Sequence, residues 1–139
     1  MDFPWKVEEL IPQRNPIVLV DRLLESNENL SVSNFLIRKD CVFVEDNRLV
    51  SAGLMENIAQ TCALRIGYLN RGQHVRIGVV GAVKNFSVDR FPVVGETLNT
   101  TVKEVLYVDP ALVVSAETRV GDETIATCEM KVFLTDQEG

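Results

Sequence analysis

Hydrophobic and polar positions change period several times along this chain, and each change predicts an element. Apolar residues three and four apart at Val7, Leu10 and Ile11 predict a short helix over 7–11, stopped by Pro12. Asn15-Pro16 is a turn signal, and the β-formers over 17–24 and 30–37 predict two strands. The polar run Glu25-Ser-Asn-Glu-Asn29 between them reads as a hairpin loop, which makes the pair antiparallel. A charged, irregular stretch around Glu45-Asp-Asn-Arg48 precedes the one clear long helix, over 51–69, with Ser51 as its N-cap and Gly72 just beyond its end. Met55, Ile58, Ala59, Cys62, Ile66 and Leu69 form one apolar stripe there, and Leu54, Ala63, Leu64 and Tyr68 extend it around the helix, the mark of a buried helix. Strands follow over 76–88, 97–108, 111–120 and 124–134. Alternation is clearest in Leu98-x-Thr-x-Val102 and Ile125-x-Thr-x-Glu-x-Lys-x-Phe133, with turns at Asp109-Pro110 and Gly121-Asp122. The simplest packing is an α+β fold in which one curved antiparallel sheet wraps the long helix. Periodicity alone leaves the strand order open.

Composition narrows the class. With 139 residues, 46% hydrophobic and 24% charged, the chain fits a single globular domain over 1–139 and excludes a disordered or low-complexity segment. The net charge of −6 argues against binding to a nucleic-acid backbone or an anionic membrane surface, both of which need clustered Lys and Arg. The start Met1-Asp-Phe-Pro-Trp-Lys6 has no basic run followed by an apolar one, so a cytoplasmic location is expected. Three widely spaced cysteines, Cys41, Cys62 and Cys128, with a single histidine, His74, make neither a disulfide framework nor a zinc site. They read as small core hydrophobes, and no metal or cofactor is expected.

Leu10-Ile-Pro-Gln-Arg-Asn-Pro-Ile-Val-Leu-Val-Asp-Arg22 resembles the L-x-P-H-R-x-P-x-L-L-V-D-R opening of the hotdog-fold 3-hydroxyacyl-(acyl-carrier-protein) dehydratases. Met55-Glu-Asn-Ile-Ala-Gln-Thr61 is similar to the L-E-x-x-A-Q-T of that family's central helix, and Phe91-Pro-Val-Val-Gly-Glu-Thr-Leu98 to its P-V-x-P-G-D-x-L loop and strand. The spacing from Gly81-Ala82 through Phe91-Pro92 to Gly95 looks closer to the divergent branch associated with aryl-polyene pigment clusters. The resemblance implies a hotdog domain, a dimer whose two sheets join edge to edge, an acyl chain in a tunnel at the interface, and catalytic residues drawn from different subunits. The implied substrate is an acyl thioester, on acyl carrier protein or as acyl-CoA, in fatty-acid, polyketide or aryl-polyene type biosynthesis.

Dehydration of a 3-hydroxyacyl thioester needs a base for the α-proton, an acid for the departing hydroxyl and hydrogen-bond donors for the carbonyl oxygen. Glu56 sits at the family's carboxylate position and can supply the acid, with Gln60 or Asn57 orienting it. The bland alternative pairs Glu56 with Arg48 or Arg65, or with Gln60 four residues on. The family's histidine is missing: none lies between Asp40 and Ser51, Arg48 fills its slot, and Gln13 replaces the histidine of the opening motif. Arginine cannot act as a base near neutral pH. His74 matches no catalytic position and reads as a solvent-facing loop residue.

Three readings stay open: a dehydratase relying on Glu56 alone, a thioesterase in which Glu56 activates water or attacks the thioester, and a non-catalytic subunit pairing with a complete dehydratase. Arg48, Met55, Gly81 and Phe91 are the candidate substrate-binding residues, with Ile58 and Phe86 as further tunnel lining. An acidic carrier protein would need a local basic patch, for which Arg71, Arg76, Lys84 and Arg90 are the candidates. The expected assembly is a homodimer or higher oligomer, or a heterodimer with a related dehydratase.

Overall fold

The computed structural model describes residues 6–71 and 76–136; Gly72, predicted to end the long helix, and His74 lie outside them. Helix α1 (Val7–Leu10) is followed by strands β1 (Arg22–Ser26) and β2 (Leu30–Leu36), a two-residue-stranded hairpin β3 (Val44–Glu45) and β4 (Arg48–Leu49), helix α2 (Ser51–Leu69), and strands β5 (Arg76–Val88), β6 (Thr97–Val108), β7 (Ala111–Val120) and β8 (Glu123–Asp136). Six strands form one sheet in the order β1-β2-β6-β7-β8-β5, every pairing antiparallel. That supplies the order that periodicity left open, and it places β1 and β5 at the sheet's two edges.

Helix α2 lies across one face of this sheet. Ile58, Cys62 and Ile66 pack with Val102, Val114, Met130 and Val132, while Leu54 packs with Leu19, Phe35, Leu98 and Ile125. The inward strand positions alternate as a half-buried sheet requires, most cleanly along β7. Gly53 lets the helix start close on the hairpin before it, since a Cβ there would meet Leu49 and Phe43 side-chain atoms at 2.7–2.9 Å.

Four local expectations change. The segment 17–20 joins no strand: Asn57 and Gln60 of α2 take the backbone groups of Ile17 and Leu19, and bonding to β2 begins only at Asp21, whose N–H donates to the Asn34 carbonyl (2.7 Å). The 44–49 stretch, read from its charges as irregular, is a tight hairpin. Asp46 and Asn47 both adopt positive φ (50° and 65°), the conformation that short hairpin turns demand and that Asp and Asn tolerate best. Ser51 is the first helical residue rather than the cap; Val50 takes the N-cap position and offers no side-chain acceptor. Finally, α2 is not buried by apolar residues alone. Asn57, Gln60, Thr61 and Arg65 are buried at helical spacing beside Leu54, Ile58, Cys62, Leu64 and Ile66, while Ala52 is exposed and Met55, Glu56, Ala59 and Ala63 are only partly covered.

That polar stripe is hydrogen-bonded throughout its length. Asn57 donates to the Leu19 carbonyl (2.7 Å) and accepts from Thr100 (2.6 Å), which meets Thr118 (2.9 Å). Thr61 meets Ser33 (2.8 Å), and Arg65 reaches the carbonyls of Asn27 and Glu28, the Ser31 hydroxyl and the Glu104 carboxylate. Buried polar groups are tolerated when paired in this way, and the geometry they demand fixes α2 in one register on the sheet.

Candidate functional site

Glu56 sits in the second turn of α2, on its partly covered side. Its Oε1 accepts a hydrogen bond from Gln60 Nε2 at 2.8 Å. Gln60 is fully buried, and its amide has one possible orientation: Oε1 must face the Leu19 N–H (2.7 Å), so Nε2 must face the Ile17 carbonyl (2.7 Å) and Glu56. Both of its N–H donors are thereby used. A side chain held at three points therefore holds one oxygen of Glu56 and leaves the other available.

The start of α2 at Ser51 lies roughly 7–8 Å along the helix axis from Glu56, the rise of five residues. With Val50 contributing no cap, the Ser51 and Ala52 amides have no acceptor within the helix and bear the positive end of its dipole. They open on a cavity of about 490 Å³ lined by Arg48, Phe91, Ser51 and Ala52 among others. Arg48 is placed there by the β3–β4 hairpin, by its bridge to Val93 and by the Leu49 N–H bonded to the Pro92 carbonyl (2.9 Å). Its own side chain is exposed.

The structure thus brings Glu56 and Gln60 into contact and gathers Arg48 and Phe91 around the helix start, with Met55 partly covered one turn on. Asn57 is engaged with Leu19 and Thr100 rather than with Glu56. Arg65 pairs with Glu104, which excludes the Glu56 partnership considered for it. Gly81 is elsewhere, on the outer side of β5, where its missing Cβ makes room for the Phe133 ring. Phe86 packs against the core under α2, and the inward positions Val80 and Val83, opposite buried Val132 and Met130, stay exposed at 43% and 37%. Apolar side chains therefore stay uncovered along the free β5 edge beside α2, a feature sequence alone could not show without the strand order.

The candidate partner-binding cations are spread out. Arg76 and Arg90 lie at opposite ends of β5, which spans about 40 Å at its extended rise. Arg76 bonds Asp109 (2.7 Å), which raises its pKa, and Arg90 grips Glu96 (2.9 Å) and Glu123 (3.1 Å). The same contact with Arg90 holds the Glu96 carboxyl below its ordinary range. Arg71 stacks on Tyr68 at 3.8 Å, and Lys84 is exposed beside Glu129 and Lys131. Cys62 and Cys128 are buried in one core cluster as free thiols, and burial pushes them up to about 12 and about 11. Such thiols stay protonated near neutral pH and are poor nucleophiles. Among the described residues, no helix is long and apolar enough to cross a membrane.

Comparison with solved structures gives the same architecture. One chain of the dehydratase heterocomplex ApeI:P from Xenorhabdus doucetiae superposes with a TM-score of 0.88 at 13% identity, covering 97% of this chain and 94% of that one. A hypothetical thioesterase with coenzyme A from Streptococcus pneumoniae gives 0.69 at 11% identity (85% and 88% covered), and the PaaI protein of the Escherichia coli phenylacetic acid degradation operon 0.66 at 15% (80% of each). At these identities the likeness shows the fold, and the fold is the hotdog. No curated protein matches the chain significantly. The family model for ApeP dehydratase, by contrast, matches residues 5–138, a span holding all three sequence motifs, α2 with Glu56 and Gln60, and the whole sheet, so the chain belongs to the ApeP-like dehydratase family.

Proposed function

We propose that this chain is one subunit of a dehydratase acting on 3-hydroxyacyl thioesters, and that it supplies the acid while a partner chain supplies the base. The observation that carries this reading is Glu56: its carboxyl is fixed by Gln60 on the partly covered side of α2, while the sequence offers no histidine on the segment where the family carries one. In the reaction the partner's base removes the α-proton, the C–H electrons form the Cα–Cβ double bond, and the Cβ–O bond breaks as the Glu56 carboxyl protonates the hydroxyl, releasing water. The Ser51 and Ala52 amides are suited to polarising the thioester carbonyl, with Arg48 and Phe91 flanking the thioester. Val80 and Val83, left exposed on β5, are suited with Phe86, Ala59 and Met55 to form one wall of an acyl groove. Its open side and the free β5 edge are the surfaces a second hotdog chain would cover. The likeness to a chain of a dehydratase heterocomplex supports a related dehydratase as that partner, and the likeness to a hypothetical thioesterase solved with coenzyme A supports a thioester substrate; the base would come from a histidine of that partner, and the carrier would be acyl carrier protein or coenzyme A.

The test is incubation of the protein with 3-hydroxyacyl and saturated acyl carrier protein, alone and with a histidine-bearing dehydratase chain, following water loss and thioester cleavage separately by mass spectrometry. Water loss that needs both chains and is abolished by Glu56→Gln is the expected result. Cleavage of the saturated thioester by the lone chain, abolished by Glu56→Gln, would replace the dehydratase reading with a thioesterase.

A further inference from the structure

The loop 89–96, which joins β5 to β6, carries Phe91 and backs the hairpin that carries Arg48. Two residues close it at its base. Arg90, just beyond β5, meets Glu96, just before β6, in a two-pronged contact: Nη1 donates to Oε1 and Nη2 to Oε2, each at 2.9 Å. Its Nε donates to both carboxylate oxygens of Glu123 at the start of β8 (3.1 Å), so all three guanidinium nitrogens are taken within the chain. Glu96 Oε1 also accepts the Val93 N–H (2.9 Å), which ties the middle of the loop to its base. From Val93 the path reaches the hairpin in one step. Val93 bridges Arg48, the Leu49 N–H donates to the Pro92 carbonyl (2.9 Å), and the Val94 N–H donates to the Asn47 carbonyl (3.1 Å). Arg48 and Phe91 both line the cavity at the start of α2.

We propose that Arg90 and Glu96 are positioning residues for the thioester end of the site: their contact sets the closed shape of the 91–95 loop and, through Val93, where Arg48 and Phe91 stand beside the Ser51 and Ala52 amides. This rests on the dehydratase reading for what Arg48 and Phe91 hold, and not for the path by which they are held. Folding stability gains little from the contact. The Arg90 side chain is 36% exposed and that of Glu123 53%, and ion pairs so placed are screened by water. What the forked guanidinium adds is a fixed distance and plane, which a lysine at the same place, a point charge on a flexible stem, does not reproduce. Misplacing a binding group by about an ångström is enough to weaken a reacting complex.

The experiment compares Arg90→Gln and Arg90→Lys with the native chain in two ways. Water loss from 3-hydroxyacyl carrier protein is followed in the complex with a histidine-bearing dehydratase chain, and amide hydrogen exchange at Leu49 and Val94 is followed in this chain alone. Both variants are expected to raise KM about tenfold with kcat within about twofold, and to exchange the two amides about tenfold faster, at a Tm close to the native one. A purely structural ion pair would not raise KM at an unchanged Tm. If Arg90→Gln does not fold, Arg90→Lys carries the test. Native exchange rates at both amides in the variants would overturn the proposal whatever the reaction, and so would a native KM beside faster exchange. A native complex that releases no water would refute the dehydratase reading, and the exchange rates would still decide whether Arg90 and Glu96 hold the hairpin.

Discussion

Replacing Gln60 with leucine removes three hydrogen bonds at once while keeping a side chain of similar length. The Leu19 N–H loses its acceptor in a buried place, the half-covered Ile17 carbonyl loses its donor, and Glu56 loses the contact that holds Oε1. An unpaired buried backbone group costs about 1–3 kcal/mol and a partly solvated one less, so the variant should lose about 2–4 kcal/mol of stability. For a chain of this size that corresponds to a fall in Tm of roughly 6–16 °C. Gln60→Glu provides the discriminating comparison. It keeps an acceptor for Leu19 but turns an oxygen towards both the Ile17 carbonyl and Glu56, so it should be at least as damaging despite being nearly isosteric. Thermal and urea denaturation measure both. A Gln60→Leu variant within 0.5 kcal/mol of the native protein would refute the claim that Gln60 anchors the 17–21 segment and, through it, Glu56.

Other outcomes follow from the same geometry. Asn57→Leu should cost about 2–4 kcal/mol in urea unfolding, because it strands the Leu19 carbonyl and leaves the Thr100 hydroxyl with Thr118 alone. Arg48→Ala, an exposed side chain, should leave stability within about 0.5 kcal/mol while raising KM for the thioester in the reconstituted enzyme. The Cys62 and Cys128 thiols titrate higher in the folded chain than in the unfolded one, so the unfolded state binds fewer protons above pH 9 and stability should fall as pH rises from about 9 towards 12. A Cys62→Ala/Cys128→Ala double variant should show a flatter pH dependence of the urea midpoint over that window. Glu96 behaves oppositely: its lowered pKa contributes stability above the usual carboxylate range that is lost on acidification, a loss that Arg90→Gln should diminish.

The elements most visible in the sequence were those whose burial pattern is local. The alternation of β6 and β8 and the apolar run of α2 needed only their own side chains to be recognised. The failures share a cause, in that distant partners decide the outcome. Segment 17–20 has strand-like composition, but the Leu19 N–H and carbonyl and the Ile17 carbonyl are taken by two α2 side-chain amides some forty residues away. The 44–49 hairpin did carry a local signal, Asp46-Asn47, which was outweighed by the surrounding charges. At the site, Glu56 and Gln60 four residues apart are legible as a helical pair, and their contact is present. Arg65 stands on the same helix, yet nothing local shows that it bonds the β1–β2 loop and Glu104 rather than Glu56, since that depends on how the sheet curls around the helix.

The most direct measurement of the central claim is the rate of water loss from a 3-hydroxyacyl carrier protein as this chain is titrated into a fixed amount of a histidine-bearing dehydratase chain, with Glu56→Gln titrated in parallel. A subunit that supplies the acid to a shared site predicts a rate that climbs to a plateau at equal amounts of the two chains, and a plateau lowered by about 10²–10⁴-fold with Glu56→Gln. A rate independent of this chain, or a plateau that Glu56→Gln leaves unchanged, would contradict the claim.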